Sequence, residues 1–270
     1  MMFARRVFWI KVLTITALSG LWEGLSRSGL FYGGVLPPIW VVMKALLEEL
    51  SDKGFYYDLS ITMLETSVGF VVGAIIALAF AVMLGTNSYI RRMMEPYIIA
   101  IGGTPKIIFL PILFLIFGLG IESKMAKAAV SAFFPVVLSG TSGILQIPPV
   151  LLRVGRSFGL SRWQMLTKIY LPAVTNPLLT GLRLGIAMAI IGVLSAEITY
   201  SNAGLGYRLI RDADQFKIPS VYAITILIFA VSATINFSLT KVQDRVSRHE
   251  ASRRAPAEAE TMRVLKPAAQ

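Results

Sequence analysis

Residues 59–85 carry a single charged side chain, Glu65, in a run otherwise made of aliphatic, aromatic, small and hydroxyl-bearing residues. About 20 mostly apolar residues in a helix cross the hydrocarbon layer of a bilayer. A run this long and this apolar predicts a membrane-spanning helix. Five more segments read the same way: 7–25, 97–117, 124–145, 177–198 and 218–239. Pro105 and Pro111 interrupt the third span and Pro135 the fourth. Such prolines are tolerated where neighbouring helices or waters satisfy the freed carbonyls. Arg5 and Arg6 ahead of the first segment resemble the start of a signal peptide. No small-x-small cleavage pattern follows, and Trp22-Glu23 stands where one belongs, so the segment reads as an uncleaved span. The expected fold is all-α, a polytopic membrane protein of about six transmembrane helices.

Composition agrees. The chain is 55% hydrophobic and 15% charged, with a mean hydropathy of +0.69, against roughly 25% charged residues in soluble domains. The net charge of +11 invites a nucleic-acid reading, but its distribution explains it otherwise. With the N-terminus inside, segments 1–6, 86–96, 146–176 and 241–270 are cytoplasmic and hold roughly twice the Lys and Arg of segments 27–58, 118–124 and 199–217. Segment 27–58 also carries Glu48, Glu49, Asp52 and Asp58. Both termini are therefore expected in the cytoplasm. There is no cysteine, and the lone histidine, His249, lies in a charged tail. Disulfides and thiolate metal sites are excluded, and no metal site is expected. Residues 1–245 read as the membrane domain. Residues 246–270, rich in Ala, Glu, Arg and Pro, read as a disordered basic cytoplasmic tail.

Lipid gives helices no hydrophobic reason to associate, so close packing relies on small residues. Gly69, Gly73, Ala77, Ala81 and Gly85 recur every four residues in the second span, and Gly181, Gly185 and Ala189 repeat the device in the fifth. Gly192 and Ala196 form a further pair. These stripes predict helix–helix contacts, within the chain or with a second subunit. Among ionisable residues near the spans, Lys11, Glu23 and Lys127 lie close enough to span ends to reach the interface, and Arg183 sits near the cytoplasmic end of its helix. Glu65, Lys106 and Glu197 are the candidates for a translocation path. Lys106 follows Gly102-Gly103-Thr104-Pro105, a run that must loosen the third helix, and Thr104 joins the candidates.

The cytoplasmic segment 148–172 is the most informative. Pro149 suits a helix start and Gly159 the position after a helix end. Ser161 and Gln164 have the spacing of a capping box for a second short helix. Leu151, Val154 and Phe158 share one face of the first helix, with Arg153 and Arg156 toward another. A helix–turn–helix with an exposed apolar stripe suits either a protein partner or the membrane surface.

The same segment resembles the cytoplasmic signature of permease subunits of binding-protein-dependent ABC importers. Their pattern is Glu-Ala-Ala, three residues, Gly, nine residues, then Ile-x-Leu-Pro. Gly159, nine residues, then Ile169-Tyr170-Leu171-Pro172 match it; Arg153, Val154 and Gly155 stand in place of Glu-Ala-Ala. Gly155 keeps one small residue that permits close approach. Ser161–Pro172, Gly181-Leu182-Arg183-Leu184, Ala196-Glu197 and Gly204-Leu205-Gly206-Tyr207 resemble the branch serving sulfonates, taurine, nitrate and pyrimidine vitamin precursors. The resemblance covers about 55–245.

That resemblance implies a membrane-spanning subunit of an ATP-driven importer, in a bacterial inner membrane. Its implied partners are two copies of a cytoplasmic ATPase, a second permease copy and a periplasmic substrate-binding protein. The segment 148–172 is then the ATPase-coupling loop. No Gly-x-x-x-x-Gly-Lys-Ser/Thr motif occurs, so ATP and Mg are expected on the partner and no cofactor or catalytic site on this chain. The substrate implied is a small organic anion such as a sulfonate, with nitrate or a pyrimidine precursor open. The competing reading, an ion-gradient-driven secondary transporter, calls for internal repeats and a set of buried acids. A membrane-embedded enzyme calls for His, Asp or Glu clusters that the sequence lacks.

Overall fold

The computed structural model describes residues 2–30 and 34–265, and among these no β-strand occurs. The helices are α1 (Met2–Arg27), α2 (Ile39–Ser51), α3 (Lys53–Thr86), α4 (Ser88–Gly103), α5 (Leu110–Phe117), α6 (Ile121–Leu145), α7 (Pro149–Ser157), α8 (Arg162–Met165), α9 (Leu171–Ala173), α10 (Thr175–Thr199), α11 (Leu205–Asp214) and α12 (Ile218–Leu265). A 3-10 turn, Lys106–Phe109, leads into α5, and a π turn, Leu166–Tyr170, joins α8 to α9. Helices α3, α6, α10 and the Ile218–Arg245 part of α12 are long and apolar enough to cross a membrane. Helix α1 covers the first expected span.

The third expected span is not a straight rod. Ser88–Gly103 and Lys106–Phe117 meet at an angle of 98°. Pro105 lacks an N–H and forces its predecessor out of the helical region, and Thr104 is extended at φ −75°, ψ 148°. Helix α12 continues to Leu265 through the stretch expected to be disordered. Ala, Glu and Arg are among the stronger helix formers, so a composition unable to build a core still sustains a helical backbone. Residues 266–270 of the expected tail lie outside the described residues, as do the side chains from 246 onward.

The chain divides into two compact units, Met1–Met63 with Glu197–Val231 and Leu64–Ala196 with Ser232–Gln270. In the second unit α6 is the central helix, with α3 on one side and α10 on another. The small-residue stripes make both contacts. A Cβ on Gly69 would overlap the Met125 carbonyl and the Ala128 side chain, and one on Gly85 would lie 2.6 Å from Ile144. Ala77 and Ala81 are buried between Gly69 and Gly85, with Ala81 facing Gly140. On the other side Gly181 meets Ser139, Gly185 meets Val136, and Gly192 meets Ser131. Ala189 packs with Ala128, Ala132 and Val193. These stripes thus serve contacts within the chain. Midway along α12, Thr240 accepts from Arg183 at 3.3 Å and Gln243 donates to Thr180 at 2.9 Å.

At Gly73 a Cβ would sit 2.8 Å from the Ala129 Cα and overlap its carbonyl oxygen. Backbone cannot step aside as a flexible side chain can. Gly73→Leu is therefore expected to lower stability by about 3 kcal/mol or more, beyond the usual range for overpacking. Gly20→Leu in α1, where nothing lies within 4 Å of the added Cβ, is expected to be near neutral. Thermal midpoints of the two purified variants in detergent check this.

In the first unit Trp22 links α1 to its surroundings. Its indole N–H donates to Pro37 O at 3.0 Å, and its ring meets Tyr222 edge-on at 5.3 Å. Ser26 donates to Leu36 O at 2.8 Å. Helix α1 otherwise presents Phe8, Trp9, Ile10 and Leu13 outward, the surface expected of a helix solvated by lipid.

Candidate functional site

The helix–turn–helix in segment 148–172 is closed at each corner by backbone chemistry. Pro149 stands at the start of α7, where its missing N–H leaves no helical bond unmade. At the other end the Leu160 N–H donates to Gly155 O at 3.1 Å and the Gly159 N–H to Arg156 O at 3.0 Å. Gly159 takes φ +62°. This pair of bonds around a left-handed glycine is a Schellman closure. Ser161 then caps α8. Its Oγ accepts the Gln164 N–H at 3.2 Å, and the Gln164 side chain accepts the Ser161 N–H at 2.9 Å. The π turn ends beside Pro172, whose ring clashes with the carbonyl four residues back in a regular α-turn.

The turn is held by bonds at both corners, and its outward face carries an apolar stripe. Phe158 is 80% exposed, Leu151 46% and Val154 45%, with Val150 and Trp163 exposed beside them. Arg153 and Pro172 are exposed, while Ile169 and Leu171 are half-buried. Gly155 packs inward. It is buried, and a Cβ there would overlap Ile169 and lie 2.6 Å from the Met165 sulfur. Its smallness lets α7 settle onto the segment that follows, so it serves the loop's own packing and offers no surface to a partner. A cavity of about 860 Å³ lies beside the loop, between Val82 and Thr86 of α3 and Arg156, Arg162, Trp163 and Tyr170.

Three of the four path candidates fall in the second unit, and two of them meet lysines of α6. Glu65 is fully buried in α3, with Lys124 Nζ 3.8 Å from its carboxylate. Lys124 and Lys127 stand three apart on α6 and so share a face. Lys127 donates to the carbonyl of Lys106. Lys106 donates to Gly102 O at 2.8 Å and lies 5.2 Å from the centre of the Phe134 ring. Thr104 caps α4, its hydroxyl donating to Ile101 O at 2.6 Å. Lys127 does not reach for the interface. It is 1% exposed, because the broken helix offers it a carbonyl that no helical N–H has taken.

Glu197 belongs to the first unit. Its fully buried carboxylate accepts from the Thr62 hydroxyl at 2.7 Å and the Gly206 N–H at 2.7 Å. Asp58 accepts from the Gly204 N–H at 2.9 Å, and Thr62 Oγ from the Leu205 N–H at 2.9 Å. The first N–H groups of α11 are thus satisfied by side chains, two of them acidic, as a helix N-terminus favours. Gly204 sits at φ +105° with the Glu197 carboxylate where a Cβ would go. One turn on, Arg208 is buried among Glu49 at 2.8 Å, Asp58 at 3.2 Å and Asp52. Burial works to lower the Arg208 pKa, but the Asp52 hydrogen bond, the charge and hydrogen bond of Glu49 and the Asp58 hydrogen bond outweigh it and raise it above its ordinary value. Hydrogen bonds from Arg208 and then from the Gly54 N–H hold the Asp52 carboxyl below its ordinary value.

Residues 67–250 match the family of binding-protein-dependent transport system inner membrane components. The chain belongs to this family. A protein of Bacillus subtilis named for aliphatic sulfonates transport is 28% identical over 242 residues, covering 89% of this chain and 87% of the relative. The taurine transport system permease protein of Escherichia coli is 25% identical over 244 residues, 88% of each chain. A formylaminopyrimidine transport permease of Halalkalibacterium halodurans is 27% identical over 227 residues, covering 84% of this chain and 89% of the relative. Among solved structures, a chain of the inward-facing MetNI methionine ABC transporter shares the fold. The TM-score is 0.59 at 18% identity, over 77% of this chain and 97% of that one. The permease is thus a membrane-spanning subunit of the ABC importer class. The Arg208 network was not singled out in its sequence. The available signal was a cluster of acids in 27–58 and of bases in 199–217, two segments assigned to the same side of the membrane.

Proposed function

We propose that the permease forms the translocation path of an importer and couples it to a separate cytoplasmic ATPase through segment 148–172. The observation that carries this reading is the exposed stripe of Leu151, Val154 and Phe158 on a loop whose corners are locked by Gly159 and the Ser161–Gln164 cap. A rigid apolar protrusion suits insertion into a groove of a protein partner. Two ATPase copies close on ATP and Mg, which the permease itself does not bind. That closure pushes the loop and rocks the helices it joins, giving alternating access by rigid-body motion. Two permease copies and a periplasmic substrate-binding protein complete the assembly, in a bacterial inner membrane with both permease termini cytoplasmic. The substrate is a small organic anion such as a sulfonate, in line with the names of the sulfonate and taurine relatives.

Gly159→Val tests the coupling. A β-branched residue at φ +62° is strained by at least about 1–2 kcal/mol, enough to displace the turn without unfolding the spans. In proteoliposomes with the ATPase and binding protein, ATP hydrolysis is expected to continue while uptake falls about tenfold or more. Normal uptake in this variant overturns the coupling role.

A further inference from the structure

Lys106, Lys124 and Lys127 bring three ammonium groups into one patch of the second unit, with Glu65 the carboxylate paired to Lys124. Two of the lysines are buried, on a helix apolar enough to cross a membrane. Ionisable groups at such depth are costly and mark pathways when they face a cavity. Lys106 is only half-buried. Its ammonium is held by the Gly102 carbonyl and the Phe134 ring, neither of which carries a net charge. An arriving anion therefore has no carboxylate to displace from it.

The backbone around Lys106 points the same way. Between α4 and α5 the helix is broken, and Gly103, Thr104, Pro105 and Ile107 are exposed. Open space lies within 4 Å of where a Gly103 Cβ would stand. Non-helical backbone at membrane depth is tolerated only where protein buries it or water bathes it. An exposed break at that depth calls for water or another protein surface beside it, and the positive potential of the patch falls on that side.

We propose that this patch is an oxyanion transfer site: Lys106 meets a small monovalent sulfonate or nitrate-like anion at the α4–α5 break, while Lys127 behind it supplies positive potential. The Lys127 bond to the Lys106 carbonyl also fixes the break, so the site and its second cation are built together. The inference rests on the importer reading and deepens it from a path to a charge-selective contact.

The test uses the permease purified with its ATPase. Thermal midpoints are followed against sodium ethanesulfonate and sodium nitrate, with ionic strength held by sodium gluconate. Wild type is expected to show a saturable rise. Lys106→Gln is expected to raise the half-saturating concentration about tenfold or more, equivalent to about 1.4 kcal/mol. Lys106→Arg stays within about threefold of wild type, and Lys217→Gln, an exposed lysine of the other unit, leaves the response unchanged. Lys127→Gln weakens it as Lys106→Gln does. An equal response in wild type and Lys106→Gln overturns the site, as does no saturable response or a response lost when choline replaces sodium as the counter-ion. Retention of the ATPase with any of those results brings down the oxyanion site alone. Failure of wild type to hold an ATPase brings down the importer reading beneath it.

Discussion

Phe158→Asp is expected to weaken the hold of the permease on its ATPase by about 30-fold or more. Central aromatic anchors of protein interfaces are worth about 2 kcal/mol or more on truncation, and that energy corresponds to a factor of about 30 in affinity. Phe158 is the most exposed of the three stripe residues and stands at the end of α7, beside the glycine that ends it. A carboxylate there removes the apolar contact and adds a charge that must be desolvated. The fold has nothing to lose, because Phe158 packs against little of its own chain. The measurement is the ATPase-to-permease ratio after purification at graded ATPase concentration, beside the thermal midpoint of the permease alone. An unchanged ratio means the stripe serves the membrane surface and not a protein groove. Arg153→Ala, removing a charge on another face of the same helix, is the comparison that separates apolar docking from electrostatics.

Arg208→Met is expected to destabilise the first unit by about 3–5 kcal/mol. Removing one partner of a buried ion pair leaves the others uncompensated, and losses of that size are typical. Here the carboxylates left behind are Glu49 and Asp58, each with a side chain 9% exposed. Asp58 has a second duty, accepting the Gly204 N–H, so its displacement also frees the start of α11. A fall in thermal midpoint on the order of 10 °C follows. Arg208→Lys keeps the charge but loses the planar fork that bridges several carboxylates at once, and is expected to fall between. Asp52→Asn removes a half-exposed partner and is expected to do much less. A midpoint unchanged in Arg208→Met shows that the network is ornamental to stability.

The contrast between these two residues shows what local sequence carries. Phe158 was identifiable because its setting is local: Pro149, Gly159, Ser161 and Gln164 dictate two short helices within twenty-five residues, and helical periodicity then fixes which side chains share a face. Gly155 lies in the same stretch, but its packing against Ile169 and Met165 was not legible there, since whether a small residue faces a partner or its own loop depends on how two helices fold back on each other. Lys127 shows the same limit. Position near a span end suggested an interfacial lysine, yet the bend at Thr104-Pro105 presents it with a carbonyl to bind.

The amino-acid sequence alone determined that this chain lies in a membrane, where its helices pack closely and where the loop in segment 148–172 turns. Each of these follows from hydrophobic run length, small-residue spacing or the dihedral limits of Gly and Pro, properties that act within a few turns of helix. Only the tertiary structure decided that α6 is clasped by α3 and α10 of the same chain, that the third span breaks at 98°, and that Arg208, Glu49, Asp52 and Asp58 converge. Those outcomes join residues up to 159 positions apart, and a charge in the sequence says that it needs a partner without saying which one it meets.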